Sequence, residues 1–80
     1  SMDAVHLMDP KAVEMLAPLL GLKEPFTMTK KDLQEFTGRS SATIDELIMR
    51  PGFPYDLKGS TMTFWKPAVA AWMYNNQRHS

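Results

Sequence analysis

The side chains best equipped for chemistry in this chain fall in three short polar runs, and what they can do is donate hydrogen bonds to anions. Lys30-Lys31 opens one apolar pattern. Arg39-Ser40-Ser41 and Thr43 open the next, which Arg50 closes, and Lys58, Ser60 and Thr61 surround Gly59. Guanidinium, ammonium and hydroxyl groups in such positions suit phosphate oxygens and base edges, and hydroxyls at a helix start are helped by its exposed amides. Each also has a plain structural use. Ser40 or Ser41 can cap a helix, Arg39 can be a solvated turn residue, and Lys58, Ser60 and Thr61 can form a soluble loop. Lys30 and Lys31 have no such use, because cations at a helix N-terminus oppose its dipole.

Other chemistries lack their parts. The chain has no cysteine, and its two histidines, His6 and His79, stand near opposite ends with no metal-ligand spacing. There is no glycine-rich phosphate loop and no nucleophile with a base and an orienting group, so the expectation is a non-enzyme without cofactor or metal. The aromatic residues Phe53, Tyr55, Phe64, Trp65, Trp72 and Tyr74 are suited to stacking on bases, but their spacing fits a core better. Seven methionines invite a plastic peptide-binding surface, yet Met2, Met8 and Met28 lie in or near connectors.

Positioning these groups requires short elements. Asp9 and Pro10 form a helix start, and Val13, Leu16, Ala17 and Leu20 recur at helical spacing, with Pro18 near the end and Gly21 as terminator. The expected helix is Pro10–Leu20, kinked or tightened at its end, followed by a connector over residues 21–26. Thr29 with Asp32 forms a shortened capping box for a second helix whose Leu33 and Phe36 face inward. Gly38 permits a tight turn, and Ile44, Leu47 and Ile48 form the buried stripe of a third helix stopped by Pro51-Gly52. After it, Asp56-Leu57 and residues 62–65 flank a polar tip as a small hairpin. Lys66-Pro67 starts a last helix in which Val69, Trp72 and Met73 share a face, before a frayed tail at residues 76–80.

Eighty residues, 44% apolar and 22% charged, make one domain of modest stability. Ser1 before Met2 has the look of a tag remnant, and no apolar run approaches the roughly 18 residues that span a bilayer. The expected location is cytoplasmic. Nine basic and nine acidic residues give zero net charge, whereas nucleic-acid-binding domains usually carry a basic excess. The distribution of Lys23, Lys30, Lys31, Arg39, Arg50, Lys58, Lys66 and Arg78 therefore matters more than the total.

Thr37-Gly38-Arg39-Ser40-Ser41-Ala42-Thr43-Ile44, followed by Leu47-Ile48, Phe53-Pro54, Phe64-Trp65, Val69 and Trp72, resembles the AlpA-type and excisionase-type regulators of phages and mobile elements, which are similar in turn to the MerR-like winged helix. The likeness covers residues 28–74. It implies a winged helix-turn-helix over residues 27–75; with the N-terminal helix and connector at 10–26, which lie outside the family pattern, and a flexible N-terminus at 1–9, the expected fold is α+β and mostly helical. It further implies a small regulator of double-stranded DNA that places its second motif helix in the major groove and its wing on the backbone. Arg39, Ser40, Ser41, Thr43, Arg50, Lys30, Lys31, Lys58, Ser60 and Thr61 are the candidate DNA-binding residues, in a homodimer or cooperative array. The chain departs from the family where Ser41, Asp45 and Glu46 stand in place of basic or aromatic residues. A different class of function stays open beside it: a winged-helix protein-interaction module, without DNA binding, that uses the acidic third helix or the N-terminal helix with its Met15 and Leu19.

Overall fold

Among the described residues, four helices and a three-stranded antiparallel sheet form an α+β arrangement, and side-chain caps set the starts of the two middle helices. The computed structural model describes residues 10–77, apart from the side chains of Pro10 and Val13. The expectations for the N-terminal segment, Asp9 as a cap, Val13 on an apolar face, His6, His79 and Arg78 lie outside what is described.

Helix α1 (Pro10–Leu20) ends on Gly21, which adopts φ +79°. Gly21 N–H donates to the Pro18 carbonyl at 3.4 Å and Leu22 N–H to the Ala17 carbonyl at 2.9 Å, the paired bonds that close a helix through a left-handed residue. Helix α2 (Lys30–Thr37) opens on the expected capping box. Asp32 N–H donates to Thr29 Oγ1 at 3.1 Å, and Thr29 N–H donates to Asp32 Oδ2 at 3.0 Å. Gly38, at φ +70°, ends it, and both Gly38 and Arg39 donate to the Gln34 carbonyl. Helix α3 (Ser41–Ile48) is capped by Ser40, whose hydroxyl accepts from Thr43 N–H. This helix ends before Pro51-Gly52. Pro51 disfavours helical geometry at Arg50, and the amides of Met49 and Arg50 turn to the carbonyls of Glu46 and Leu47, three residues back.

Strands β2 (Asp56–Lys58) and β3 (Thr61–Trp65) form the expected hairpin, with Asp56 opposite Thr63, Leu57 opposite Met62 and Lys58 opposite Thr61. The loop is Gly59-Ser60, with positive φ at the glycine alone, as a type II′ turn requires. One strand was not expected. Thr27–Met28, within the stretch between the first two helices, forms β1 and pairs with the other side of β3, Thr27 opposite Trp65 and Met28 opposite Phe64. Two residues offer no alternation to read, and their pairing partner lies far along the chain. Helix α4 (Lys66–Asn75) follows β3 without a break, and Lys66 N–H donates to the Phe26 carbonyl at 2.7 Å.

The core is Met28, Leu33, Ile44, Leu47, Phe53, Phe64 and Val69, with Phe36, Ile48, Met62, Trp72 and Met73 packed around it. Phe53 sits at the centre of an aromatic set. Its ring meets Phe64 edge-on at 6.1 Å and Trp72 at 5.1 Å between centroids, the T-shaped geometry that aromatic quadrupoles prefer. Tyr55 and Tyr74 do not share this core, being half exposed. Helix α1 packs against α4 and buries Ala17, whereas Leu16 and Leu20, which share its helical spacing, are exposed together with Met15 and Leu19.

Candidate nucleic-acid interface

The turn at Gly38 projects the start of α3 into solvent. Arg39, Ser40 and Ser41 are exposed and Thr43 is half-buried. With Ile44 and Leu47 buried, the outer surface of α3 consists of Ser41, Ala42, Asp45, Glu46 and Met49, the last 82% exposed. Ser40 is largely occupied by capping: its hydroxyl accepts from Thr43 N–H at 3.2 Å and donates to Thr43 Oγ1 at 3.1 Å. Ser41 is the hydroxyl of the group that remains available at the helix start.

The acidic character of α3 is answered from α2. Lys30 Nζ forms an ion pair with Asp45 Oδ1, a link that joins the first residue of one helix to the middle of the next. Both side chains are about half exposed, so the pair is worth at most about 1 kcal/mol to stability. Its electrostatic effect is local. One of the two carboxylates that would repel a phosphate is neutralised, and the Lys30 ammonium is held by its own protein. Lys31, beside it, is exposed.

Asp32 is held below its ordinary pKa, first because its carboxylate accepts the Thr29 backbone N–H and then through the Thr29 side chain, with Lys66 and Lys31 adding smaller attractions against a slight desolvation. This acid serves the cap. Lys66, counted from the sequence among possible surface cations, turns inward: Nζ donates to the Lys23 carbonyl at 2.6 Å and lies 5.5 Å from the Phe36 ring centroid. It ties the connector to α4.

Arg39 and Arg50 come together along one groove between α3 and α4. The Arg50 guanidinium lies 4.8 Å from the Trp72 ring centroid, within cation–π range. The Trp72 indole N–H donates to the Pro51 carbonyl at 3.4 Å. Lys58 and Thr61 lie together on the hairpin, along a separate surface that includes Thr27, Asp56 and Thr63, and Ser60 is exposed at its tip. The candidates thus divide into the α3 start, the Arg39–Arg50 groove and the hairpin, with Lys30 paired. The part played by Trp72 escaped sequence reasoning, since nothing in local spacing links it to Arg50 across 22 residues.

Among the described residues, no group of three His, Cys, Asp or Glu side chains is placed to hold a metal ion, and no helix is long and apolar enough to cross a membrane. No family model matches the chain, and neither does any curated protein or solved structure.

Proposed function

We propose that the chain is a winged helix-turn-helix regulator of double-stranded DNA, of the excisionase-like kind carried by phages and mobile elements and acting in the cytoplasm. In this reading α2, the Gly38 turn and α3 are the helix-turn-helix, α3 enters the major groove start-first, and the β2–β3 hairpin is the wing on the adjacent backbone. One observation carries it: the exposed start of α3, with Arg39 and Ser41 in solvent and its nearest acid, Asp45, already paired with Lys30. The start of a reading helix needs donors outward and few bare carboxylates, and this one has both.

Arg39, Ser41, Thr43 and Arg50 serve the groove and its phosphates, Lys58, Ser60 and Thr61 serve the wing, Ser40 fixes the helix start, and Lys31 supplements phosphate contact. One domain of this size offers few contacts at physiological salt, so the protein acts as a dimer or cooperative array. The outward apolar residues of α1 are the surface for that association.

Other exposed residues give the rival reading its basis. Met15 and Leu19 are 79% and 84% exposed, and Glu46 and Met49 are open on α3, a combination suited to a protein partner. Titration of a labelled mixed-sequence duplex separates the two. Binding that weakens steeply with salt, and weakens further in Arg39→Ala and Lys58→Ala without a change in melting temperature, supports the regulator; absence of binding at low salt supports the interaction module.

A further inference from the structure

We infer that the groove between α3 and α4 is a binding site for the sugar–phosphate backbone, so that α4 is a third DNA-contacting element beside α3 and the hairpin. This rests on the DNA reading and names the chemistry of a place that the reading leaves undescribed. The groove has a volume of about 730 Å³ and is lined by Arg39, Leu47, Arg50 and Trp72 on one part of its wall and by residues of the α4 end, including Tyr74 and Gln77, on another.

Charge is the first argument. Two guanidinium groups line the groove and, among the described residues, no Asp or Glu does, in a chain whose net charge is zero. A cleft whose described charged residues are of one sign focuses the field on an incoming anion. Arg39 has no ion-pair partner among the described residues, unlike Lys30.

Preorganisation is the second. Arg50 lies against the Trp72 ring, and Trp72 is itself fixed by its bond to the Pro51 carbonyl and its edge contact with Phe53. A guanidinium laid on an aromatic face keeps its N–H edge directed outward and loses less freedom on binding. The third argument is the mixed polarity of the wall. Leu47, Ala70 and Met73 supply apolar surface, while Tyr74, Asn76 and Gln77 supply hydroxyl and carboxamide groups. A backbone unit has the same division, an apolar deoxyribose joined to a charged phosphate that takes forked Arg hydrogen bonds. A simple inorganic anion has no use for the apolar part. An acidic peptide lacks the sugar but shares the charge.

The test uses the full chain and reads the Trp72 indole N–H by NMR together with duplex affinity by anisotropy. Gln77→Glu places a carboxylate in the groove at an exposed position, and Arg39→Gln removes a cation without touching the core. Each is expected to weaken duplex binding about tenfold, Arg39→Gln is expected to make the log–log salt slope shallower by about 0.9, and the indole signal is expected to shift on adding duplex. If the wild type binds duplex with steep salt dependence while the indole stays still and Gln77→Glu has no effect, the groove assignment is overturned and the DNA reading stands. If no duplex binds but pyrophosphate moves the indole, the DNA reading and the backbone assignment both fall, leaving an anion site of another kind. Tighter binding of a glutamate-rich peptide than of duplex overturns the assignment in favour of a protein partner.

Discussion

Asp45 shows how one side chain can decide the electrostatics of a short helix. On sequence alone, its pairing with Glu46 counts against contact with DNA; in the fold, Lys30 neutralises it. Asp45→Asn should release Lys30 to phosphate, steepening the salt slope by about 0.9 while changing stability by under about 1 kcal/mol; an unchanged slope in a duplex titration would mean that Lys30 points elsewhere when DNA is present. The two serines are separable in the same manner. Ser40→Ala removes the cap and should cost about 1 kcal/mol in chemical denaturation, whereas Ser41→Ala should leave stability alone and weaken DNA binding. Asp32 supplies a pH signature. Its folded pKa is lowered, so its stabilising effect is complete above the unfolded carboxylate value near pH 4 and is lost as pH falls through the lower folded value. Asp32→Asn removes the titrating carboxylate that accepts the Thr29 N–H and should flatten that part of the stability profile below about pH 4, measured by thermal melting. The sequence exposed the caps because their signals span three residues. It could not expose the Lys30–Asp45 pair, which depends on how α2 crosses α3.

Among the elements, the turn at Gly38 does the orienting. Its φ of +70° is a left-handed value, and a Cβ there would meet nothing within 4 Å, so Gly38→Ala carries a conformational cost without a clash. We expect a loss of about 1–2 kcal/mol in unfolding free energy, and a loss near zero would show that the turn rearranges easily. Helices α2 and α3 were readable because caps and apolar spacing agree along each of them. The hairpin was readable from its glycine tip. Strand β1 was not, since its register is fixed by Trp65 and Phe64 of β3 and not by its own two residues. In α1 the helix was legible but its buried side was not: Leu16 and Leu20 have helical spacing, but only Ala17 of that set is buried among the residues whose side chains are described. Periodicity identifies an apolar face without saying whether this chain or another covers it.

For the molecule as a whole, zero net charge is a poor guide to where charge acts. Asp45 is paired with Lys30 and Asp32 is committed to the Thr29 cap, while Arg39 and Arg50 line a groove with no Asp or Glu among the described residues. The candidate site was legible in part: the α3 start and the hairpin tip follow from local motifs, but that α4 residues line a groove with Arg39 and Arg50 required the fold. The proposed self-association can be tested at the exposed residues of α1. Leu19→Glu should reduce self-association on DNA, measured by sedimentation, with little effect on melting because Leu19 is 84% exposed; unchanged association would place the contact elsewhere.

The most direct measurement of the central claim is the affinity of the full chain for duplex DNA from about 50 to 200 mM salt. Four to six phosphate contacts from the α3 start, the groove and the hairpin predict a log–log slope of about −4 to −5. A flat dependence, or no binding at the lowest salt, contradicts the account and leaves the fold as a surface for another protein.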